Sequence, residues 1–205
     1  MKPVRLVVYQ DFLCPWCYVG HVRLAALEEA FGDDLELEGR AFLLRPEPAP
    51  DSDLERVRRR FARYEGLARE EPRCTFRPWR APRAPRAWSL PAQVLHRAAR
   101  ERAEDPAAPF RLAGVLFRAT FAESRDVAEQ EVLRDAWLEA GLPEAALPDP
   151  ADPALRRAVL EEHREALEIG VTGVPAIRPP GLDFALVGAQ PEATWRRLIE
   201  RQLAA

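Results

Sequence analysis

A long apolar run is the first thing this chain lacks. Nowhere in its 205 residues does it approach the ~20 consecutive apolar positions a membrane helix needs. After Met1-Lys2-Pro3 the sequence passes directly into a strand-like run, with no leader and no small-residue cleavage site. These absences predict a cytoplasmic protein with no membrane partner. A basic surplus is lacking too. The formal net charge is −3 and the pI lies near 5.8, which argues against nucleic acid as a partner. Lysine is nearly missing, Lys2 being the only one, so arginine carries the positive charge. Arginines cluster at Arg56, Arg58, Arg59, Arg60 and Arg63, interleaved with Asp51, Asp53, Glu55 and Glu65, the pattern of a solvated helix face. No internal repeat is present. The chain is 47% hydrophobic, enough to bury a full core as one domain, or as one domain carrying an insertion.

Cysteine is scarce as well, and its placement carries most of the information. Cys14-Pro15-Trp16-Cys17 follows the β-branched run Val4 to Tyr9 and precedes an amphipathic stretch, Tyr18 to Phe31. A strand that delivers Cys-x2-Cys to the first turn of a helix is the layout of a thiol–disulfide exchange site. Two intervening residues let both sulfurs share one turn. Pro15 suits the first helical position, where its missing N–H would have been unpaired anyway. Cys14 then falls at the N-cap, before free backbone amides and the positive end of the helix dipole, which favour thiolate. Cys17 lies one turn further in. Cys14 is therefore the expected attacking thiol and Cys17 the resolving one.

The same spacing also serves as half of a zinc site, with His21 and Cys74 as further ligands, but a second Cys-x2-Cys pair is absent. A structural disulfide closing so short a loop would add little stability. The expectation is redox chemistry and no metal, with no role for Cys74.

Periodicity orders the elements. Strand one spans about Val4 to Tyr9. Helix one runs from about Pro15 to Phe31, with Val19, Val22, Ala26, Leu27 and Ala30 at helical spacing and Gly32 ending it. A second strand alternates at Leu35 and Leu37 and continues towards Phe42-Leu43-Leu44, until Pro46, Pro48 and Pro50 break it. Helices follow at Asp53 to about Ala68, Pro91 to Arg102, Pro106 to Ala122, Val127 to Ala140 and Pro153 to Ile169. The segment from Pro72 to Leu90, with Trp79 and Trp88, reads as irregular. Strand character returns at Val174 to Ile177 and Phe184 to Val187. A last helix from Pro191 carries Trp195, Leu198, Ile199 and Leu203 on one stripe. The order is β-α-β, a helical block, then β-β-α. That is an α/β protein whose two ends form one sheet, with the dithiol beyond the carboxyl end of strand one.

Several of these stretches also carry a family likeness. Asp11-Phe12-Leu13-Cys14-Pro15-Trp16-Cys17-Tyr18-Val19-Gly20 closely resembles the opening motif of DsbA-like members of the thioredoxin superfamily, in the cytosolic branch related to FrnE and to 2-hydroxychromene-2-carboxylate isomerase. Phe42-Leu43-Leu44-Arg45-Pro46 resembles that branch's second strand. Phe117, Phe121, Asp126-Val127 and Val132-Leu133 echo its helical pattern. Gly170-Val171-Thr172-Gly173-Val174-Pro175 resembles its cis-proline loop, and Val187-Gly188-Ala189-Gln190 the lead into its final helix.

The resemblance implies a thioredoxin-like fold formed by residues 1–45 and 170–205, with 46–169 as an inserted all-helical subdomain. It implies catalytic roles for Cys14, Cys17 and Pro175. Val174 would pair its backbone with an extended substrate, beside Trp16. Partners would be protein or small-molecule thiols and disulfides. The redox-active disulfide would need no cofactor, though glutathione is an expected co-substrate. The alternative is a glutathione-dependent isomerase or transferase of aromatic small molecules. The chain departs from the family in two ways. Val8 stands where classical relatives carry a buried acid under the second cysteine, leaving Asp11, a turn or cap residue by position, as the nearest acid. Isomerase relatives typically carry serine where this chain has Cys14, and the presence of both cysteines favours redox exchange.

Overall fold

A computed structural model describes residues 3–48 and 53–204; Met1, Lys2, Pro50 and Asp51, which entered the sequence reading, lie outside them. Four strands form one sheet in the order β2-β1-β3-β4. Strand β1 (Val4–Gln10) pairs in parallel with β2 (Leu35–Ala41), in register from Val4 opposite Leu35 to Gln10 opposite Ala41. Helix α1 (Pro15–Phe31) is the crossover between them. On its other side β1 meets β3 (Ala176–Arg178) antiparallel, with Val8 opposite Ile177, and β3 pairs antiparallel with the short β4 (Leu186–Val187).

Alternation along β1 sorts the two faces of the sheet. Val4, Leu6 and Val8 point to one side, where Leu24 and Leu27 of α1 and Trp195 and Ile199 of α8 (Glu192–Leu203) close a core with Leu35 and Ile177. Tyr9 points to the other, onto Phe42, Ala176 and Ala166 of α7 (Pro153–Glu168). Helix α7, expected within the helical block, is thus also the layer over the second face.

The remaining helices are α2 (Leu54–Tyr64), α3 (Leu67–Glu70), α4 (Leu90–Arg102), α5 (Ala108–Phe121) and α6 (Gln130–Glu139). Their shared core includes Leu95, Leu112, Leu116, Phe117, Phe121 and Trp137. This block is fastened to the ends of β1 and β2 by polar contacts as well as packing. Gln93 donates to the Gln10 carbonyl at 2.7 Å, and Arg100 to the Gly39 carbonyl. The buried Glu162 accepts from the Ala41 amide at 2.9 Å and pairs with Arg97 and Arg100. Gly39 permits the approach, since a Cβ there would lie 2.7 Å from a ring carbon of His96.

Several boundaries move from the sequence reading, each for a visible reason. Strand β2 stops at Ala41 because, one residue beyond the Phe42 amide that still reaches the Gln10 carbonyl, the amides turn to side chains: Leu43 donates to His163 and Leu44 to Asp11. The helix expected from Asp53 to Ala68 divides at Glu65-Gly66 into α2 and α3, while Asp53 caps its start through the Glu55 and Arg56 amides. Helix α6 begins at Gln130 rather than Val127, because Asp126 accepts the Ala128 amide and holds a turn there. Along α1 the buried face carries Leu24, and Ala30 is exposed; the first half of the helix is covered on two sides, by sheet and by helical block. The stretch from Pro72 to Leu90 is irregular in backbone yet not loose. Trp79 is buried, packs edge-on against Phe61 and donates to the Arg83 carbonyl at 2.8 Å.

Two buried histidines make the fold sensitive to acid. Burial depresses His21 to about 4 and, with the nearby Arg100 charge, His96 to about 3. The unfolded chain takes up both protons from about 6.5 downward while the folded state refuses them, so stability falls as the pH drops. Urea unfolding should show each histidine removing about 2 kcal/mol between pH 7 and pH 5. His96→Gln should have a shallower pH slope than wild type, whatever its stability at pH 7.

Candidate functional site

The site is assembled where β1 ends. Asp11 to Leu13 make a turn in which the Cys14 amide donates to the Asp11 carbonyl at 3.0 Å. Cys14 is the N-cap of α1 in an extended conformation, Pro15 occupies the first turn, and the Cys17 and Tyr18 amides donate back to the Cys14 carbonyl. Both cysteines are thiols; Cys14 is 6% and Cys17 1% exposed. Trp16, at 43%, stands out into solvent between them.

From the far end of the chain comes the loop before β3. Its Val174–Pro175 bond is cis, and the Cys14 thiol donates to the Val174 carbonyl at 3.3 Å. Gly20 lets α1 close on this loop, because a Cβ there would sit 3.0 Å from a Pro175 ring carbon. Cys14, Cys17, Val174 and Pro175 therefore meet, with Trp16 at the rim.

The two thiols are pushed in opposite directions. Cys14 is held below the ordinary thiol range, chiefly by the hydrogen bond from Cys17 and further by the Cys17 and Trp16 amides, against burial and the Asp11 charge. Burial first, then the neighbouring Cys14, drives Cys17 well above that range. Cys74 does not join them. It is buried under Tyr18, its thiol directed to the Tyr18 carbonyl at 3.8 Å, and burial raises it to about 12. His21 stacks on Phe110 with ring centroids 4.2 Å apart. Among the described residues no three or more His, Cys, Asp or Glu side chains gather in a way that would hold a metal ion.

Asp11 is more than the turn residue its position suggests. It is fully buried. One carboxylate oxygen accepts the Leu13 amide at 2.7 Å; the other accepts the Leu44 amide at 2.7 Å and the Ser89 hydroxyl at 2.9 Å. Burial raises its own proton affinity despite these donors. Val8, at the position of the classical acid, is a core residue under the sheet.

A cavity of about 250 Å³ opens beside Cys14 towards the helical block, with Phe61, Tyr64 and Phe121 among its walls. Arg60 belongs to it and is the exception on an arginine face where Arg56, Arg59 and Arg63 are exposed: its Nε is buried and has no hydrogen-bond partner among the described residues. The aromatic spacing of Phe61 and Tyr64 on α2 was the available signal.

A four-stranded sheet with one parallel pair, helices on both faces and a Cys-x2-Cys helix start against a cis-proline loop together constitute a thioredoxin fold. The chain belongs to the DsbA-like thioredoxin domain family, whose profile matches residues 5–200. Among solved structures it resembles a protein disulfide isomerase homologue from Nitrosomonas europaea (TM-score 0.83, 15% identity, 99% of this chain and 98% of that one). It is also similar to the cytosolic disulfide reductase DsbM from Pseudomonas aeruginosa with GSH (TM-score 0.73, 24% identity, 98% and 100%). A third likeness is to 2-hydroxychromene-2-carboxylate isomerase (TM-score 0.70, 17% identity, 97% and 96%). At these identities the likeness is one of fold. The Bacillus subtilis protein YwbO is 49% identical over 51 residues, a match spanning 24% of each chain. No helix among the described residues is long and apolar enough to cross a membrane.

Alkylation rates should rise with pH through an inflection below the ~8.5 of a free thiol, retained in Cys17→Ser and lost in Cys14→Ser. Asp11→Asn removes a negative charge that opposes the Cys14 thiolate, so its inflection should lie lower still; an unmoved or higher inflection would contradict that electrostatic assignment.

Proposed function

We propose that this protein is a cytosolic thiol–disulfide oxidoreductase in which Cys14 attacks and Cys17 resolves. The observation that carries the reading is the pairing of a depressed Cys14 with an elevated Cys17 on one helical turn, with the Cys14 sulfur against the Val174 carbonyl. The Cys14 thiolate attacks one sulfur of a disulfide RS–SR, forming a mixed disulfide and releasing RS⁻. Cys17 gives its proton to that thiolate or to water and attacks the Cys14 sulfur. The second RS⁻ leaves and the Cys14–Cys17 bond forms: the substrate gains two electrons and the dithiol loses them. In the opposite direction the same steps run backwards.

Pro175 presents no N–H to the sulfur, and Val174 offers backbone groups to an extended substrate, with Trp16 as an exposed apolar contact. Residues 46–169 act as a helical subdomain inserted between 1–45 and 170–205, whose helices supply walls of the cavity beside Cys14. Glutathione is the expected small-molecule co-substrate, which the glutathione in the DsbM structure supports. A glutathione-dependent isomerase is the second reading, favoured by the aromatic walls of the cavity beside Cys14; turnover of an aromatic enol substrate by Cys17→Ser would establish it.

Mixed disulfides should be trapped by Cys17→Ser and not by Cys14→Ser. The reduction potential, read by alkylation and mass after equilibration in glutathione buffers, should fall between the ~−270 mV of thioredoxin and the ~−120 mV of DsbA. The indole of Trp16 brings no donor or charge to the sulfur comparable to a histidine's. Trp16→His should therefore raise the potential, by ~30 mV for each 1.4 kcal/mol of added preference for the reduced form. A wild-type value at the DsbA end, or no upward shift, would place control of the poise outside the Pro15-Trp16 pair.

A further inference from the structure

The cavity beside Cys14 is built differently from the cis-proline side of the same sulfur. Neither Val174 nor Trp16 lines it; its walls are the turn at Leu13 to Pro15, the chain after β2 at Leu44 and Arg45, α2, the Pro85–Ala87 stretch, the end of α5 and the loop after it. Cys14 thus has two unlike neighbours: the backbone at Val174, and a pocket at the small end of the range for ligand sites. A volume of about 250 Å³ takes one substituted ring or a comparably small apolar body, and no folded segment.

The charge of the pocket is one-sided. Arg45, Arg60 and Arg125 line it against a single acid, Asp126. Asp126 is engaged by the Arg86 and Ala128 amides and by the Arg86 guanidinium. Arg125 is engaged by Asp135 at 2.5 Å and Glu123 at 3.7 Å. Arg60 differs from both. It extends over the Phe61 ring at 5.8 Å, and its buried Nε has no partner among the described residues. Tyr64, on the same helix, feels the charges of both Arg60 and Cys14. Arg60 thus brings to the cavity wall a guanidinium with no hydrogen-bond or ion-pair partner among the described residues, and a carboxylate is the acceptor that matches its charge and geometry.

We infer that this pocket selects small disulfides carrying a carboxylate on an apolar body, and that Arg60 is the specificity-determining residue that holds the carboxylate while Cys14 attacks the disulfide. The inference rests on the oxidoreductase reading and adds a substrate class to it. The reaction is the exchange already balanced above. The carboxylate takes no part in the chemistry and only fixes where the disulfide sits.

The test uses two aromatic disulfides, the dianionic dithiobis(nitrobenzoate) and the neutral dithiodipyridine, each reacted with fully reduced protein in stopped flow. The quantity read is the ratio of their rate constants. Arg60→Gln should lower that ratio about tenfold, the effect of losing one hydrogen bond to a charged group, and Arg60→Lys should restore part of it. Arg58→Gln, on the same helix but paired with Glu55 at 2.8 Å outside the cavity, removes the same net charge and should leave the ratio unchanged. Arg45→Gln, an exposed position, gives a second probe if Arg60→Gln fails to fold, and should lower the ratio in the same direction. An unchanged ratio in folded Arg60→Gln would overturn the inference, as would an unchanged ratio in Arg45→Gln where Arg60→Gln does not fold, or an equal fall in Arg58→Gln. Either result leaves the oxidoreductase reading standing. That reading fails separately, if neither disulfide reacts or if Cys14→Ser reacts as fast as wild type.

Discussion

One buried carboxylate connects the parts on which the site depends. Asp11 accepts hydrogen bonds from the turn that precedes Cys14, from the chain leaving β2 and from the start of α4. These three points belong to the dithiol loop, the rim of the cavity and the helical block. A buried charge is tolerated only where donors compensate its lost hydration, so the three donors and the carboxylate hold one another in place. The same group limits the chemistry. Its negative charge lies close enough to oppose the thiolate on both cysteines, and the amides and the Cys17 thiol must outweigh it at Cys14. Position and reactivity are thus set by one side chain, against each other.

Features written in neighbouring residues were legible in the sequence. β1, the Cys14 N-cap, Pro15 in the first turn and the full span of α1 follow from a β-branched run meeting Cys-Pro-x-Cys, and the structure has them where the pattern puts them. The α8 stripe was equally local, with Trp195 and Ile199 both fully buried. What the pattern missed lies in contacts between distant residues. Leu43 and Leu44 continue an apolar alternation, yet their amides are taken by residues 120 and 33 positions away, so the strand ends early. Asp11 was legible as a turn residue through Leu13 and illegible as a bracket through Leu44 and Ser89. Arg60 was hidden for a related reason. A helix rich in charge reads as solvated, and only the placement of α2 against the dithiol loop shows which arginine turns inward.

The helical block changes what a thioredoxin fold can present to its substrate. On the sheet side lie the Val174 carbonyl and the exposed Trp16 ring, the backbone edge and flat apolar surface that the proposed function assigns to an extended chain. On the helix side, Phe61, Tyr64, Phe121 and the arginines offer a closed volume. Gln93 fastens the block to β1, and Arg100 and Glu162 fasten it to β2, which places that volume beside Cys14.

Cys74 gives the protein a built-in reporter of its own opening. Its thiol is buried beneath Tyr18 and held as the unreactive protonated form, while the proposed function would protect Cys14 and Cys17 together as a disulfide. In the oxidised protein the one remaining thiol is therefore silent for as long as the packing around Tyr18 persists. Its modification then counts molecules that have breathed at the junction of α1 and the irregular Pro72–Leu90 segment, as amide exchange counts local openings elsewhere in a fold. Dithiol sites are usually followed through the cysteines that react; here the cysteine that does not react measures the integrity of the scaffold around them.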